Sequence, residues 1–505
     1  MVNRRWNATI AVLVLLLVAL GGIAFAGGTT EKGTPNPASA PASRQAEKAK
    51  YVFLFVGDGM AAPQINSAEI FKSATASAGL KVTKLTFTQF PVSGLTTTYD
   101  ASSFITDSAS AMTAMMTGNK TLSGVINMDV KKETKYKTLA EYAKEAGMKV
   151  GIVSTVSLDH ATPAATYAKV ASRGQMYDIC LQLAASNFDY FGGGGLAQSG
   201  RKEGQEDAKD AAKKAGYNVV TTDAAFKALK PGAGKVLAIS SSLQDENAMT
   251  YELDRAGSDL DLAAFTKKGI ELLDGPQGFF MMVEGGKIDW ACHANDGAAS
   301  IKDTLAFDSA VAEAVAFGKA HPQETLIVVT GDHETGGMTI GFAGTKYSTF
   351  FDKIALQEGS FIAFNTNFFL PYKKIHTKAE ANFEEVVAVF EQYFGLKYSE
   401  LADVEKDQLR RAFTRSMGNE VERAAQDDVY LLYGGYEPFT VALTHIVNQH
   451  AGIGWTTYSH TGVPVITFAQ GVGQGQFGGY YDNTDIFRKL AAVMNLPVSQ
   501  AVALR

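Results

Sequence analysis

The chain has 505 residues, 46% hydrophobic and 19% charged, a globular composition that excludes disorder for most of its length and suffices for one large core with insertions or up to about three domains. Its formal charge is −6 with no run of Lys and Arg, which argues against nucleic acid or another polyanion as a partner. Only two cysteines, Cys180 and Cys292, are present, so a disulfide framework is excluded and the core must carry stability.

In chain order, Arg4 and Arg5, an apolar run from Ile10 to Ile23 and the small-x-small site Ala24-Phe25-Ala26 mark residues 1–26 as a signal peptide. Its apolar run is short for a membrane span. The mature chain is therefore expected to be periplasmic or secreted, with no membrane span and a charge of −8 once the two arginines leave a chain of −6. Residues 27–48, rich in Gly, Thr, Pro, Ala and Ser, cannot bury enough apolar surface to fold and read as a flexible linker, leaving 49–505 as the folded domain.

Short apolar runs at Tyr51–Val56, Val150–Val153, Phe279–Val283, Leu326–Val329 and Val465–Phe468 alternate with helical patterns. Apolar on both faces, they suit central strands of an α/β fold whose mostly parallel sheet is flanked by helices on both faces. Phe307, Val311, Ala314 and Val315 stand at helical spacing and predict an amphipathic helix. Gly192 to Gly195 look like a phosphate-cradling loop, but no Lys-Ser/Thr follows and no G-x-G-x-x-G register enters a helix, so the run reads as a flexible turn. Residues 343–457 are polar and aromatic-rich, with helical stretches over Ala379–Phe394 and Val404–Met417, and read as a large insertion between two strands, a crown-like cap over the crevice or a dimer contact.

The residues just past the strand ends carry the chemistry. Asp58 follows the first run in VGDG, Glu284 follows Phe279–Val283, and Asp332-His333 follow Leu326–Val329 in TGDHETGG. The carboxyl ends of strands form the crevice of an open α/β sheet, so these acids and the histidine converge on one edge. Clustered acids repel one another and need a cation, a metal or an Arg/Lys network. The histidines favour a metal: EGGKIDWACHAND places Asp289 and His293 on one helix face, and His460 sits in the polar turn YSHTG. Mixed carboxylate and imidazole ligands suit zinc rather than magnesium alone. Cys292 lies about 100° around the helix from His293 and points away from it, so both cysteines read as buried inert thiols.

TDSASAMTAMMTGNKT puts Ser108 near a helix N-terminus, where backbone N–H groups and the dipole favour an anion. With no triad and no G-x-S-x-G elbow, activation of this serine falls to a metal. In SLDHATPAATYAKVASR, His160 and Thr162 precede a helix beginning near Pro163, and Arg173 falls three turns along it, where its guanidinium can hold two phosphoryl oxygens.

These elements, with VGDGM, VEGGKID, TGDHETGG and SHTG, follow the order of the alkaline phosphatase family, and the chain resembles that family from Tyr51 to Phe468. The resemblance implies a zinc- and magnesium-dependent phosphomonoesterase whose catalytic domain is 49–505, acting on small-molecule phosphate monoesters through a phosphoserine on Ser108. It implies two Zn2+ and one Mg2+: Asp289, His293 and His460 at the first zinc, Ser108, Asp332 and His333 at the second, Thr162 and Glu284 at the third site, and Asp58 shared between the last two. Arg173 would bind the phosphate. His160 and Trp290 stand where the best-known bacterial members carry Asp and Lys, against the phosphate or third metal, which leaves that site open to another divalent metal. A homodimer is also implied. The alternatives are a phosphodiesterase or sulfatase-like hydrolase of the same superfamily, which lacks the third metal and the arginine or uses a different motif, and a non-catalytic phosphate-binding protein, which has no need of so many metal ligands.

Overall fold

The computed structural model describes residues 48–76, 80–200, 204–418 and 428–498; the expected signal peptide and nearly all of the linker lie outside them. Its frame is a ten-stranded sheet. In chain order, β1 is Tyr51–Gly57, β2 Val92–Thr97, β3 Lys149–Ser154, β4 Tyr190–Gly193, β5 Tyr217–Val220, β6 Lys235–Ile239, β7 Phe279–Gly285 and β8 Thr325–Gly331. Across the sheet the order is Gly479–Asp482, β2, Val465–Gly471, β8, β1, β7, β3, β4, β6, β5.

The central strands are wholly buried because each face is covered by helices. In β1, Phe53 and Phe55 point into one core with Phe307 and Val311 of the helix Gly297–Ala320, while Val52, Leu54 and Val56 point into the other with Met112 and Met115 of the helix Ser108–Thr117. This is the period of two expected of a strand, with both faces apolar because both are covered. Phe307, Val311 and Ala314 are buried as their spacing predicts. In the 343–457 segment the predicted helices occur at Phe383–Phe394 and Asp403–Ser416, and Phe364, Phe390 and Phe439 join the first core.

Val465–Gly471 departs from the parallel arrangement expected of it, pairing antiparallel with both β8 and β2. The cause is where the chain re-enters the sheet. His460 and Thr461 pair with Thr335 and Glu334, just past the end of β8, so the next strand starts from the edge where β8 finished and must run the other way.

Gly192 to Gly195 are buried, and the flexible turn expected there is instead a site of close backbone approach. Gly193 has φ +116°, and a Cβ on it would lie 2.0 Å from the carbonyl oxygen of Ser154; a Cβ on Gly194 would lie 2.1 Å from that of Val156. The glycines let β4 close over the end of β3, where the Ser154 hydroxyl holds the carboxylate of Glu284. Gly193→Ala is expected to cost roughly 2–4 kcal/mol through overpacking and an unfavourable φ, read as a lower denaturant midpoint. Gly174→Ala, whose Cβ would meet only Ser172 Oγ at 3.5 Å, should leave the midpoint near that of the parent.

Candidate metal centre

The register of three neighbouring strands brings the acids together: β1 and β7 align Val56 with Glu284, and β1 and β8 align Gly57 with Gly331. Asp58, Glu284, Asp332 and His333 consequently crowd one edge with no exposed surface. Gly59, at φ +70°, turns its N–H onto Asp332 Oδ1 at 3.1 Å, and the His333 N–H meets the same oxygen at 3.0 Å. A Cβ at Gly59 would lie 2.9 Å from Asp289 Oδ1, so the turn admits no larger residue without displacing the acid.

Each imidazole is aimed by a partner. His293 Nδ1–H donates to the Tyr458 carbonyl at 2.6 Å and His460 Nδ1–H to the Thr106 carbonyl at 2.7 Å; a carbonyl only accepts, so Nε2 is the lone-pair atom of each ring when that ring is neutral. They face each other at 3.1 Å, with Asp289 Oδ2 3.3 Å from His293 Nε2 and Asp289 Oδ1 3.6 Å from His460 Nε2. His333 Nε2 lies 3.2 Å from Ser108 Oγ, 3.4 Å from Asp58 Oδ1 and 3.3 Å from Asp332 Oδ2. Ligand atoms thus form three groups, each within 4.8 Å: Asp289, His293 and His460; Asp58, Asp332 and His333; and Asp58, His160 and Glu284. Thr162 Oγ1 donates to Asp58 Oδ2 at 3.3 Å, against the last of these groups.

These groups fit divalent cations. Asp58 Oδ1, Asp332 Oδ2 and Glu284 Oε1 are buried with no hydrogen-bond partner, an expensive condition unless a cation takes the lone pairs. Burial and the neighbouring Asp332, Asp289 and Glu284 hold the Asp58 carboxyl well above its usual range. Burial likewise pushes Glu284 up to about 8, against a hydrogen bond from Ser154, and Asp332 up to about 7, with Asp289 adding to the rise. Burial pulls the His160 imidazole down to about 3, with the Arg173 cation adding to the fall.

Ser108 opens its helix as expected, with Asp107 capping the Ser110 N–H at 3.0 Å. Arg173 reaches the same place by a different route from the predicted one. The helix from His160 ends at Ala164, and Asn127 satisfies the carbonyls of Ala165 and Ala168, at 2.7 and 2.8 Å, that no further helical turn serves. Val170 then bridges to Ile126, and Arg173 stands in a turn rather than three turns along a helix. Its guanidinium donates to Asp107 Oδ2 at 3.0 Å and lies 3.1 Å from His160 Nε2. Burial would raise the Asp107 carboxyl, but Arg173 and the backbone N–H groups hold it at about 2. Trp290 meets the His160 ring edge-on at 5.5 Å. Cys292 turns its thiol to Ser300 Oγ at 3.2 Å and Cys180 to Asp159 at 3.2 Å; both are free and buried, and burial raises both thiols.

The model of the family described as alkaline phosphatase matches residues 49–496. The chain belongs to the alkaline phosphatase family. Alkaline phosphatase 4 of Bacillus subtilis (strain 168) is 32% identical over 91% of this chain and 91% of its own. Among solved structures, the cold-active alkaline phosphatase of a psychrophilic Shewanella sp. superposes with TM-score 0.71 at 28% identity, covering 88% of this chain and 99% of its own. A histidine-to-aspartate mutant of TAB5 alkaline phosphatase with Mg bound in its M3 site superposes with TM-score 0.59 at 25% identity, over 90% of this chain and 100% of its own. Alkaline phosphatases are phosphoric monoester hydrolases, and the three side-chain groups answer to the divalent metals the family uses.

Several residues that shape this alkaline phosphatase centre leave little mark in the sequence. Asp107, which clamps Arg173, stands inside the TDSA motif as a helix cap. Ser154, which donates to Glu284 Oε2, and Thr335, which donates to Asp289 Oδ1, are ordinary strand and loop residues. The carbonyls of Thr106 and Tyr458 act through the backbone and have no signature at all.

The raised acids make the metal-free chain sensitive to pH in a definite direction. A carboxyl whose folded pKa is raised contributes stability below its unfolded pKa and loses it as pH climbs through the folded value. Glu284, near 8, and Asp332, near 7, behave so, and His293, drawn up to about 9 by Asp289 against its burial, adds to the loss. His160 and His333, both depressed, are neutral in either state above their unfolded pKa and contribute no slope there. Between pH 6.5 and 9, the melting temperature of the chelator-treated protein should fall while that of the metal-loaded protein changes less; parallel curves would contradict the buried acid cluster.

Proposed function

We propose that the chain hydrolyses phosphate monoesters to an alcohol and inorganic phosphate through a phosphoserine on Ser108, with Asp289, His293 and His460 as ligands of one zinc, Asp58, Asp332, His333 and Ser108 of a second, and Asp58, Thr162, Glu284 and His160 around a third, magnesium-type metal. The observation that carries this reading is Ser108 Oγ, 3.2 Å from His333 Nε2 at the first residue of its helix, beside an arginine with donors to spare. When bound, the metals lower the pKa of the attacking oxygen and neutralise the charge on the leaving one.

The chain's own groups supply the rest. The first-turn N–H groups of the Ser108 helix and its dipole favour the phosphoryl anion. Arg173, fixed on one side by Asp107 and on the other by His160, presents its remaining N–H groups to the phosphoryl oxygens and contributes to phosphate binding more than to the chemical step. The Ser108 oxygen forms the new P–O bond as the ester oxygen leaves with the electron pair. Water then attacks the phosphoserine, releasing phosphate and restoring Ser108. Tyr458 and Thr106 keep the two imidazoles pointed inward throughout.

A mature chain released to the periplasm or exterior, homodimeric assembly, and the division into 1–26, 27–48 and a catalytic 49–505 with 343–457 as a crown belong to the same reading, and their support is the leader pattern and the family. Ser108→Ala should lose acid-trapped labelled phosphate while retaining its metals, and the parent should prefer p-nitrophenyl phosphate to bis-p-nitrophenyl phosphate in a chelator-sensitive manner. Label kept at full level in the variant, or diester turnover equal to monoester turnover, would overturn the assignment.

His160 is expected to set the metal at the third group. Imidazole suits zinc and is a poor partner for magnesium, which prefers carboxylates and water. A TAB5 alkaline phosphatase in which a histidine is changed to aspartate holds Mg in its M3 site. His160→Asp should bind magnesium more tightly, seen as activity saturating at lower added magnesium than in the parent; superimposable titrations would reject the role.

A further inference from the structure

The helix that carries Asp289 and His293 begins with a lysine whose position the reaction does not explain. Lys287 has no exposed side-chain surface. Its ammonium lies 2.5 Å from Asp245 Oδ1, 3.7 Å from the centre of the Tyr251 ring and 4.9 Å from that of Trp290. Ammonium groups are almost never taken so far from water without a carboxylate and further compensation, here two aromatic faces. Asp245 is itself held in an unusual turn, in which Glu246 and Asn247 have φ of 49° and 58° and the Asn247 side chain is tied to the Leu196 carbonyl at 2.9 Å. On the far side of this arrangement, Trp290 meets His160 at 5.5 Å with ring planes at 75°, and His160 Nε2 lies 3.1 Å from Arg173 Nη2. A continuous line of contacts therefore runs from a buried ion pair to the guanidinium.

We propose that Lys287 is a positioning residue for phosphate: its ammonium, pinned by Asp245, fixes the indole of Trp290, which fixes the His160 ring and so keeps Arg173 in its binding pose. This rests on the reading of Arg173 as the phosphate ligand. With the cation gone, the indole loses its electrostatic partner, the imidazole loses its edge contact, and Arg173 is left held by Asp107 alone. A lysine that merely stapled the fold would alter stability without discriminating between phosphate binding and turnover.

The test compares Lys287→Met, which keeps the length of the side chain and removes the charge, with Lys287→Arg, which keeps a cation over both rings. In the Met variant the inhibition constant for inorganic phosphate should rise about tenfold, the size of losing one hydrogen-bonded partner of a charged group, while kcat at saturating p-nitrophenyl phosphate changes by less than about twofold. The Arg variant should recover most of the difference. An unmoved phosphate constant in a folded, metal-replete Met variant overturns the proposal, as does an Arg variant as defective as the Met one. If Lys287→Met fails to fold, Asp245→Asn decides: the ammonium loses its anchor and the phosphate constant should rise in the same direction, an unchanged constant again overturning the role. Acid-trapped phosphoserine on the parent is measured first. Its absence defeats the reading of the site itself, whereas its presence with unchanged phosphate binding in the variants defeats only the part given to Lys287.

Discussion

Mutual repulsion among buried carboxylates is the constraint around which this molecule is arranged. Asp58, Glu284 and Asp332 stand at the ends of adjacent strands with no surface exposed, and each keeps a carboxylate oxygen without a hydrogen-bond donor. A fold that only had to be stable would place apolar residues there, as it does at Val56 of β1 and Val283 of β7. The sheet tolerates the acids because its two cores are large and continuous and because imidazoles aimed by backbone carbonyls leave lone pairs suited to the same cations. Stability made by the strands is thus spent at their ends.

Rigidity at the edge comes from short local devices rather than from the metals alone. Gly59 turns its N–H onto Asp332; Ser154, pressed by Gly193, holds Glu284; Thr335 holds Asp289; Asp107 holds Arg173. None of these residues needs to touch a substrate. Each removes a degree of freedom from a carboxylate or guanidinium of the candidate centre, which is what allows charges to be set against one another at contact distance.

Much of this is legible in the sequence, for physical reasons that also mark the limits. Strands buried on both faces announce themselves as unbroken apolar runs, and acids directly after such runs can only lie at the sheet edge, so Asp58, Glu284 and Asp332 are readable. Helical spacing joins Asp289 to His293. Direction is not readable for Val465–Gly471, because strand polarity depends on where a long excursion returns. The turn bearing Arg173 escapes a local reading because its partners, the Asn127 side chain and the bridge from Val170 to Ile126, are remote in sequence. The glycines of β4 look loose because local composition cannot reveal a neighbouring backbone at van der Waals range.

The antiparallel strand carries a further consequence. His460 lies 167 positions after His293, its partner across the first ligand group, and the whole 343–457 segment intervenes. A chain threading out from its N-terminus therefore displays Asp58, Ser108, Glu284, Asp289, His293, Asp332 and His333 well before the residue that closes the first group. Closure of the first ligand group is tied to the return of the chain to the sheet, because His460 pairs with Thr335 just past β8 in the segment that leads into Val465–Gly471.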